Sequence, residues 1–334
     1  MGLLQAMHGA AAQGVLWSIM TLGVYITFKV LDFADLTVDG SFATGGAVSA
    51  VLISHGMNPF LSLLFALAAG MACGFITGFL HTKLEIPGIL AGILTMIALY
   101  SINIRIMGKA NIPLLGISTI VTAVSGLYPA LSVNTISLAI GLIFSAAVIG
   151  FLYWFFGTEI GCSVRATGNN EYMVRALGVN TDKTKILGLV LSNGLVALSG
   201  AMVAQSQGYA DVGMGTGTIM IGLASVIIGE VLMGNRFSFA YKLISVVIGS
   251  VIYRMVIALV LRFGMKSTDL KLFTSIIVAI ALAIPVLNRI LQPVIRKLDQ
   301  ILQPVKRKAD KIFRPLKNIL KKGGRTAGNG GNTK

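Results

Sequence analysis

Long apolar runs alternate with short polar stretches along nearly the whole chain. A transmembrane helix needs about 20 predominantly apolar residues, and nine segments meet that requirement: 9–30, 38–55, 59–80, 87–107, 134–156, 185–205, 213–233, 242–262 and 272–290. The second and seventh are short and rich in glycine, which is typical of broken or re-entrant helices. The pattern predicts an all-α polytopic membrane protein with about eight to ten transmembrane helices.

The composition supports this class. Only 12% of the 334 residues are charged, whereas a soluble domain carries about a quarter, so most of the chain cannot face water. The first basic residue is Lys29, so the N-terminal run lacks the charged region of a cleavable signal peptide and is expected to remain a span. No disulfide, metal site or catalytic pair is predicted from the scattered cysteines and histidines: Cys73, Cys162, His8, His55 and His81. Nothing in the pattern indicates an enzyme.

The distribution of charge predicts the orientation. Basic residues next to spans favour the cytoplasm, and most of the net charge of +15 lies in the C-terminal tail, 291–334. The tail is therefore predicted to be cytoplasmic. Counting spans back from it also places 157–184, 234–241 and 81–86 inside. The same count places the loop 263–271 and the N-terminus outside.

An internal repeat connects the two glycine-rich segments. The stretch "ADLTVDGSFATGGAVSAVLI" (34–53) aligns without gaps with "ADVGMGTGTIMIGLASVIIG" (210–229). Five spans separate the copies, so they are predicted to run in opposite directions, as in transporters with inverted-topology repeats. The alternative is a chance similarity among small residues. Irregular backbone at membrane depth lines cavities, so the candidate residues of a translocation path are Asp35, Thr37, Asp39, Ser41, Asp211, Thr216 and Thr218.

Charged residues in or near the spans each have a functional and a structural interpretation. Arg254 falls near the middle of its span, where a charge costs about 2.5–3.5 kcal/mol on insertion scales. In the functional interpretation, Arg254 lines the translocation path and contacts anionic groups. In the structural interpretation, it is buried and binds a carboxylate or backbone carbonyls. Asp32, Asp35 and Asp39 are expected at the membrane boundary, as loop and capping residues.

The polar stretch "RATGNNEYMVRALGVNTDKTK", residues 165–185, predicts a short docking helix. Asn170 is a good N-cap and Gly178 a good left-handed stop, so a helix is expected over 171–177. Glu171 and Arg175 have the favourable i, i+4 order. Two helical turns are marginal alone in water, so the apolar strip is expected to dock on a partner at the inner face: Tyr172, Met173, Ala176 and Leu177.

The longer stretch "RATGNNEYMVRALGVNTDKTKILGLVLSNGLVALSGAM" resembles the coupling-loop region of ABC importer permeases of the branched-chain amino acid and ribose type. The family pattern is met by Arg165, Ala166, Gly168, Asn170, Gly178 and Lys185, whereas Met173 and Val174 replace the family's small pair. The stretch "LDFADLTVDGSFATGGAV" resembles the family's motif after the first span. The resemblance covers about 10–290 and is nearest to the branch for amino acid or aromatic amino acid uptake.

This resemblance implies the permease subunit of an ATP-driven importer in the bacterial cytoplasmic membrane. Its partners would be an ABC ATPase subunit, an extracytoplasmic substrate-binding protein and a second copy of the chain. ATP and Mg²⁺ would bind the ATPase, because this chain lacks the G-x-x-x-x-G-K-[ST] phosphate loop and is expected to bind no cofactor. The cargo would be a small polar solute, an amino acid or a related compound. The implied coupling residues are Arg165, Gly168, Asn169, Asn170, Glu171, Tyr172, Met173, Arg175, Leu177 and Gly178.

The expected domain organisation is a permease domain, 1–290, with the coupling loop 157–184, followed by the tail 291–334. Three consecutive eleven-residue units lie where the tail begins: "ILQPVIRKLDQ", "ILQPVKRKADK" and "IFRPLKNILKK". Each has apolar residues on one helical face and basic residues on the other, which predicts an amphipathic segment on anionic inner-leaflet lipid rather than on nucleic acid. A solvated basic tail is the alternative.

Two other functions fit a polytopic chain. An ion-gradient-driven secondary transporter would need coupling carboxylates at the midplane of the membrane, and few acidic residues are expected there. A non-transporting scaffold would use the basic tail to recruit partners.

Overall fold

The computed structural model of the protein describes residues 2–234 and 238–262, together with the single positions 272, 275, 276, 279, 280 and 283. The helices are α1 (Leu3–Tyr25), α2 (Thr37–Ser54), α3 (Pro59–Lys83), α4 (Gly88–Met107), α5 (Ile120–Leu127), α6 (Val133–Gly157), α7 (Glu159–Asn169), α8 (Glu171–Ala176), α9 (Thr181–Gln207), α10 (Thr218–Met233) and α11 (Phe239–Arg262). Strands β1 (Asn111–Pro113) and β2 (Tyr209–Asp211) pair antiparallel. A π-helical turn, Ile26–Val30, prolongs α1, and a 3₁₀ turn, Val212–Gly215, precedes α10.

The prediction of an all-α polytopic membrane protein is confirmed. Seven segments of the described chain are long and apolar enough to cross a membrane: Leu4–Val30, Pro59–Lys83, Gly88–Met107, Val133–Gly157, Thr181–Gln207, Val212–Met233 and Phe239–Arg262. The predicted second span is helix α2, which has 18 residues and is buried on almost every side. The predicted ninth span, 272–290, lies largely outside the described residues, and the loop 263–271 and the tail 291–334 lie wholly outside them.

The two glycine-rich segments are irregular before their helices and not within them. Helix α2 is continuous, but it follows the non-helical stretch 31–36, where Asp32 has a φ of 51°. Helix α10 follows the 3₁₀ turn and Gly217, whose φ of 83° is left-handed. In both copies of the repeat the chain therefore enters the bundle in an irregular conformation and begins a helix there.

Helix α9 is the centre of the bundle, and helices α1, α2 and α3 pack directly on it. Glycines allow the backbones to come close: a Cβ at Gly70 or Gly74 of α3 would overlap a carbonyl oxygen of α9. Small residues at such contacts are typical of helices packed in membranes, where association depends on close van der Waals packing. The glycines therefore set the distance between α3 and α9.

Buried serine hydroxyls add hydrogen bonds between helices. Ser192 and Ser199 of α9 donate to the carbonyl oxygens of Gly23 and Leu16 in α1, each over 2.8 Å. Ser250 of α11 donates to the carbonyl of Gly14 over 2.9 Å. These acceptors retain their helical bonds, because a carbonyl oxygen has two lone pairs. Helix α1 is thereby held to both α9 and α11.

The connections between helices lie at two opposite ends of the bundle. We call the end with α7 and α8 the α8 end, and the end with β1 and β2 the ribbon end. At the α8 end, Lys83 lies 3.4 Å from Asp182, and Lys29 lies 2.9 Å from Glu230. The prediction that 81–86 and 157–184 share one side is confirmed.

The two copies of the repeat run in opposite directions, as predicted. Helix α2 runs towards the ribbon end, where Gln205 of α9 donates to the Ser49 hydroxyl over 3.0 Å. Helix α10 runs towards the α8 end, where its Glu230 pairs with Lys29. The repeat therefore has the inverted topology expected from its position in the chain.

Replacement of Gly74 by alanine should destabilise the protein, because the new methyl group meets the backbone of α9. Overpacking of this kind costs about 1–3 kcal/mol. The matched control is Gly150→Ala in α6, where a Cβ meets nothing within 4 Å and helix propensity favours alanine by up to about 1 kcal/mol. Thermal unfolding of the detergent-solubilised variants should give shifts of opposite sign. Equal shifts would contradict the packing described for α3 and α9.

Candidate functional site

The short helix α8 has the local structure that its sequence predicts. The Met173 N–H donates to Oδ1 of Asn170 over 3.0 Å, which is the expected N-cap. Gly178 has a φ of 83° and ends the helix in the left-handed conformation. The helix covers Glu171–Ala176, one residue less than expected, because Leu177 is the C-cap.

Glu171 fastens α8 to the first turns of α9. One carboxylate oxygen accepts from Arg175 over 2.6 Å, and the other accepts from the Lys185 ammonium over 2.7 Å. The Thr181 hydroxyl donates to the first oxygen over 3.2 Å. Partial burial acts to raise the pKa of Glu171, but the hydrogen bond and charge of Lys185, with Thr181 and Arg175, outweigh it and lower that pKa. The carboxylate is thus held in its charged form.

The apolar strip of α8 is uncovered. Tyr172 is 84% exposed and Leu177 is 74% exposed, and Met173 and Ala176 are exposed as well. Val174, by contrast, is only 2% exposed and points into the protein. The helix is therefore anchored by one apolar side chain and one carboxylate, while its predicted docking strip faces away from the chain's own bundle.

Helix α7 precedes α8 and was not predicted as a helix, because its polar residues lack the apolar periodicity of a span. Gly168 lies against the Val30 carbonyl at the end of the π-helical turn, where a Cβ would not fit. The guanidinium carbon of Arg165 lies 5.1 Å from the centre of the Phe239 ring. Asn169 is exposed at the end of α7. Helix α7 therefore connects the coupling segment to α1 and α11.

A polar cavity of about 800 Å³ opens beside α7 at the α8 end. Its charged lining residues are Lys29, Asp32, Arg165 and Lys242. Asp32 thus lies near the α8 end of the bundle, as expected.

Asp35 and Asp211 occupy equivalent positions in the repeat. The Thr37 N–H donates to Oδ1 of Asp35 over 2.9 Å, and the Gly213 N–H donates to Oδ1 of Asp211 over 2.7 Å. Each carboxylate therefore accepts from the amide two residues later, and in each copy a helical turn begins at that point. The two segments are therefore similar in structure as well as in sequence.

Asp39 holds the start of α10, although it belongs to α2. Its Oδ2 accepts from the Gly217 N–H over 2.8 Å, and its Oδ1 accepts from the Ile219 N–H and the Thr218 hydroxyl over 2.9 Å each. The first amides of a helix have no partner within the helix. Asp39 satisfies two of these amides, and it joins the two copies of the repeat.

The expectation that Asp35 and Asp39 lie at the membrane boundary is wrong. Oδ2 of Asp35 accepts from the side-chain amide of Asn193, near the middle of α9, over 2.7 Å. Gly40, next to Asp39, packs against Met96 and Leu99 near the middle of α4. Both carboxylates therefore lie at the level of the helix midpoints, because the chain turns back into the bundle directly after the π-helical turn.

Most of the predicted path residues are used in contacts between helices. The Thr37 hydroxyl lies 2.7 Å from that of Thr77, and the Ser41 hydroxyl donates to the side-chain oxygen of Asn193 over 2.7 Å. Thr218 is bound to Asp39, and Asp211 caps the 3₁₀ turn. Only Asp39 and Thr216 of the predicted set line a described cavity at membrane depth.

That cavity, which we call the α4 cavity, has a volume of about 390 Å³ and lies between α2, α4 and the segment before α10. Its lining residues are Asp39, Gly40, Ala43, Met96, Ile97, Tyr100, Ser101, Asn103, Val212 and Thr216. Tyr100, Ser101 and Asn103 were not predicted. Their signal was a cluster of polar side chains inside the otherwise apolar span "GILAGILTMIALYSINIRIM", where polar groups are expensive and often functional.

Arg254 stacks on an aromatic ring. Its guanidinium carbon lies 3.7 Å from the centre of the Trp17 ring, within the range of a cation–π interaction. Among the described residues, its Nε has no hydrogen-bond partner. No carboxylate of the described chain forms an ion pair with it, so the described contact is with an aromatic ring and not with a carboxylate, which was one of the two predicted structural partners beside backbone carbonyls.

Comparison with known proteins finds a permease family and relatives that include transport permeases. The pattern of the family described as "Branched-chain amino acid transport system / permease component" matches residues 6–283. A tyrosine transport system permease protein of Clostridioides difficile (strain R20291) is 41% identical over 86% of this chain and 93% of its own. Protein RP368 of Rickettsia prowazekii (strain Madrid E) is 33% identical over 82% and 95%. The fructose import permease protein FruF of Bifidobacterium longum (strain NCC 2705) is 29% identical over 74% and 68%.

Replacement of Asp39 by asparagine should weaken the junction of the repeat. One amide oxygen replaces two carboxylate oxygens, and the new NH₂ group faces backbone donors. Hydrogen bonds to a charged group contribute about 1.5–3 kcal/mol, so a loss of that size is expected in the free energy of unfolding in detergent. The control is Asp32→Asn, because Asp32 is exposed and asparagine tolerates its left-handed φ. An unchanged stability for Asp39→Asn would contradict the capping role.

The anchor of α8 should depend on pH through Glu171. Its folded-state pKa is lowered, so its contribution is complete above the unfolded pKa of about 4.3 and is lost as the pH falls through the folded value. Between pH 6 and 8 no change is expected. Glu171→Gln should raise amide exchange in α8 about two- to fivefold at pH 7, the effect of a surface ion pair, whereas the exposed Glu159→Gln should not. Equal exchange in both variants would exclude the anchor.

Proposed function

This chain belongs to the family of branched-chain amino acid transport system permease components, and from that premise we propose that it imports an amino acid or a related small polar solute. It is a multi-pass inner-membrane permease subunit of an ATP-driven ABC importer, and its partner is an ABC ATPase. The tyrosine transport permease, at 41% identity, supports an amino acid as cargo. The hydrolysis of ATP takes place on the partner chain, and this chain holds no cofactor of its own.

The α8 strip is the surface on which the ATPase docks. The observation that carries this proposal is an apolar strip, with Tyr172 and Leu177 almost fully exposed, on a helix that Glu171 and Val174 hold firmly. A free helix of two turns would be marginal in water. A helix that is anchored at its back and uncovered at its front is suited to transmit force from a partner.

Movement of α8 reaches the middle of the membrane through α9. Lys185 and Thr181 of α9 bind Glu171 at the α8 end. Asn193, near the middle of the same helix, binds Asp35 and Ser41 of the first repeat copy. Closure of the ATPases around ATP therefore shifts α9 and repacks the junction at which Asp39 holds α10. That repacking alternates access to the path.

The remaining partners are assigned to the two ends of the bundle. The α8 end is cytoplasmic and the ribbon end receives an extracytoplasmic binding protein. Two copies of the chain form the path, the C-terminus is cytoplasmic, and the tail 291–334 binds anionic inner-leaflet lipid. The basic residues of the tail support the last two proposals.

The secondary-transporter alternative has less support. It requires carboxylates at depth that exchange protons or ions. Asp35 and Asp39 do lie at depth, but each accepts hydrogen bonds from the start of a helix. Family membership also favours an ATP-driven importer.

Polar substitution of the α8 strip should separate the chain from its ATPase. The double variant Tyr172→Ser, Leu177→Ser removes two exposed apolar side chains, each of which costs more than about 2 kcal/mol when it is a hot spot. Co-purification of the ATPase and ATP-driven uptake should both be lost, while membrane insertion is retained.

The matched control for this double variant is Leu115→Ser, which changes an equally exposed leucine in the loop after β1 at the ribbon end. It should retain the ATPase. If the α8 variant also retained it, the docking proposal would be wrong.

A further inference from the structure

The polar cavity beside α7, which we call the α7 cavity, brings three basic side chains around one volume of about 800 Å³. Lys29 comes from the π-helical turn that prolongs α1, Arg165 from α7 and Lys242 from the first turn of α11. Asp32 is the acidic residue of the described lining. The cations therefore converge from three segments that are far apart in the chain.

Two of these cations have no carboxylate partner in the described part of the chain. Lys29 is paired with Glu230 over 2.9 Å, whereas neither Arg165 nor Lys242 forms an ion pair with a described carboxylate. Asp32 is likewise unpaired. The two cations beside the α8 carboxylate are, by contrast, both neutralised by it. Two unpaired cations and one unpaired carboxylate leave the α7 cavity with a net positive charge.

Arg165 is oriented towards the cavity by its own helix and by an aromatic ring. The residues of α7 that line the cavity and recur on one helical face are Cys162, Arg165, Ala166 and Asn169. The guanidinium carbon of Arg165 lies 5.1 Å from the centre of the Phe239 ring. A guanidinium placed over a ring keeps the N–H donors at its edge available for a carboxylate or a phosphate.

The depth of the cavity favours a lipid phosphate over a soluble anion. Lys29 is the last residue but one of the span Leu4–Val30, and Lys242 is the fourth residue of the span Phe239–Arg262. Both cations therefore lie at the end of a span, at the level of the lipid headgroups. Basic pockets between transmembrane helices on the cytoplasmic side bind anionic lipid headgroups. Aromatic side chains, which are enriched at that level, complete the wall: Tyr25, Phe28 and Phe239.

We propose that the α7 cavity binds the phosphate group of an anionic phospholipid of the phosphatidylglycerol type. Arg165 donates N–H bonds to the phosphate oxygens, and Lys242 adds a second positive charge. A zwitterionic headgroup is disfavoured, because its own cation meets the same positive field. The bound phosphate joins α7, which leads into α8, to α11. This proposal rests on the proposed cytoplasmic position of the α8 end, and its site is separate from the tail.

The natural cysteines provide the probe. Cys162 lies in the cavity wall and is exposed, whereas Cys73 is buried. The full-length permease, delipidated in detergent, is labelled with a maleimide in the presence of dioctanoyl phosphatidylglycerol, dioctanoyl phosphatidylcholine or inorganic phosphate. Phosphatidylglycerol at ten times its Kd should slow the labelling of Cys162 about tenfold, because the occupied site shields the thiol. The other two compounds should leave the rate unchanged.

Neutral variants test the two cations. Arg165→Gln and Lys242→Gln should each raise the concentration of phosphatidylglycerol that gives half protection about fivefold, the effect of one basic charge near an anionic lipid. The matched control is Lys183→Gln, which removes an exposed cation in the first turn of α9 that does not line the cavity. It should leave the half-protecting concentration unchanged. Cys73 should stay unlabelled in every variant, which verifies that the protein is folded.

Three results would overturn the proposal. The first is equal protection by phosphatidylcholine or by inorganic phosphate, which would reject the anionic lipid as ligand. The second is unchanged protection in both glutamine variants. The third is protection by the added ATPase with none by phosphatidylglycerol, which would make the cavity part of the docking surface. The labelling needs neither ATP nor uptake, so its failure is distinguishable from failure of ATPase docking, which the α8 variant tests.

Discussion

The structure depends on how backbone amides are satisfied at membrane depth, and Asp39 is the clearest case. Helix α10 begins within the bundle, where its first N–H groups have no partner in their own helix. A carboxylate from α2 accepts from them and from Thr218. Because donor and acceptor belong to the two copies of an inverted repeat, the capping interaction is also the junction of the repeat. A change in the relative position of α2 and α10 must therefore alter this group of hydrogen bonds.

Helix α9 connects that junction with the α8 end. It contacts Glu171 near its first turn, Asp35 and Ser41 near its middle, and Ser49 near its last turn. Its glycine-mediated contacts with α3 are close and leave little room for independent motion. In the proposed coupling, a force applied at α8 would displace α9 as a whole. The α4 cavity lies on the other side of α2 and is shaped by the same junction.

Predictions from sequence were accurate where the interaction is local. The cap at Asn170, the ion pair of Glu171 with Arg175 and the left-handed Gly178 all involve residues within a few positions of one another, so local rules determine them. The exposure of Tyr172 also follows from helical periodicity. The depth of Asp35 and Asp39 was misjudged, because it depends on where the chain turns after the π-helical turn. For Arg254 the predicted alternatives were a wall of the path and a tie to a carboxylate or to backbone carbonyls, whereas the described contact is with Trp17, a residue far away in the chain.

The amino-acid sequence by itself determined the class of the protein, the positions of most of the described spans, the inverted repeat and the short capped helix α8, because hydrophobic periodicity, capping and charge act over short distances along the chain. The tertiary structure alone decided which polar groups are consumed in packing and which are left without a partner. Asn103 and Asn193 are indistinguishable as single letters inside apolar runs, yet among the described residues Asn193 binds Asp35 and Ser41, whereas the Asn103 side chain has no hydrogen-bond partner. Their different hydrogen-bond surroundings arise only when α2, α4 and α9 come together, since a side chain's partners depend on helices that are distant in sequence.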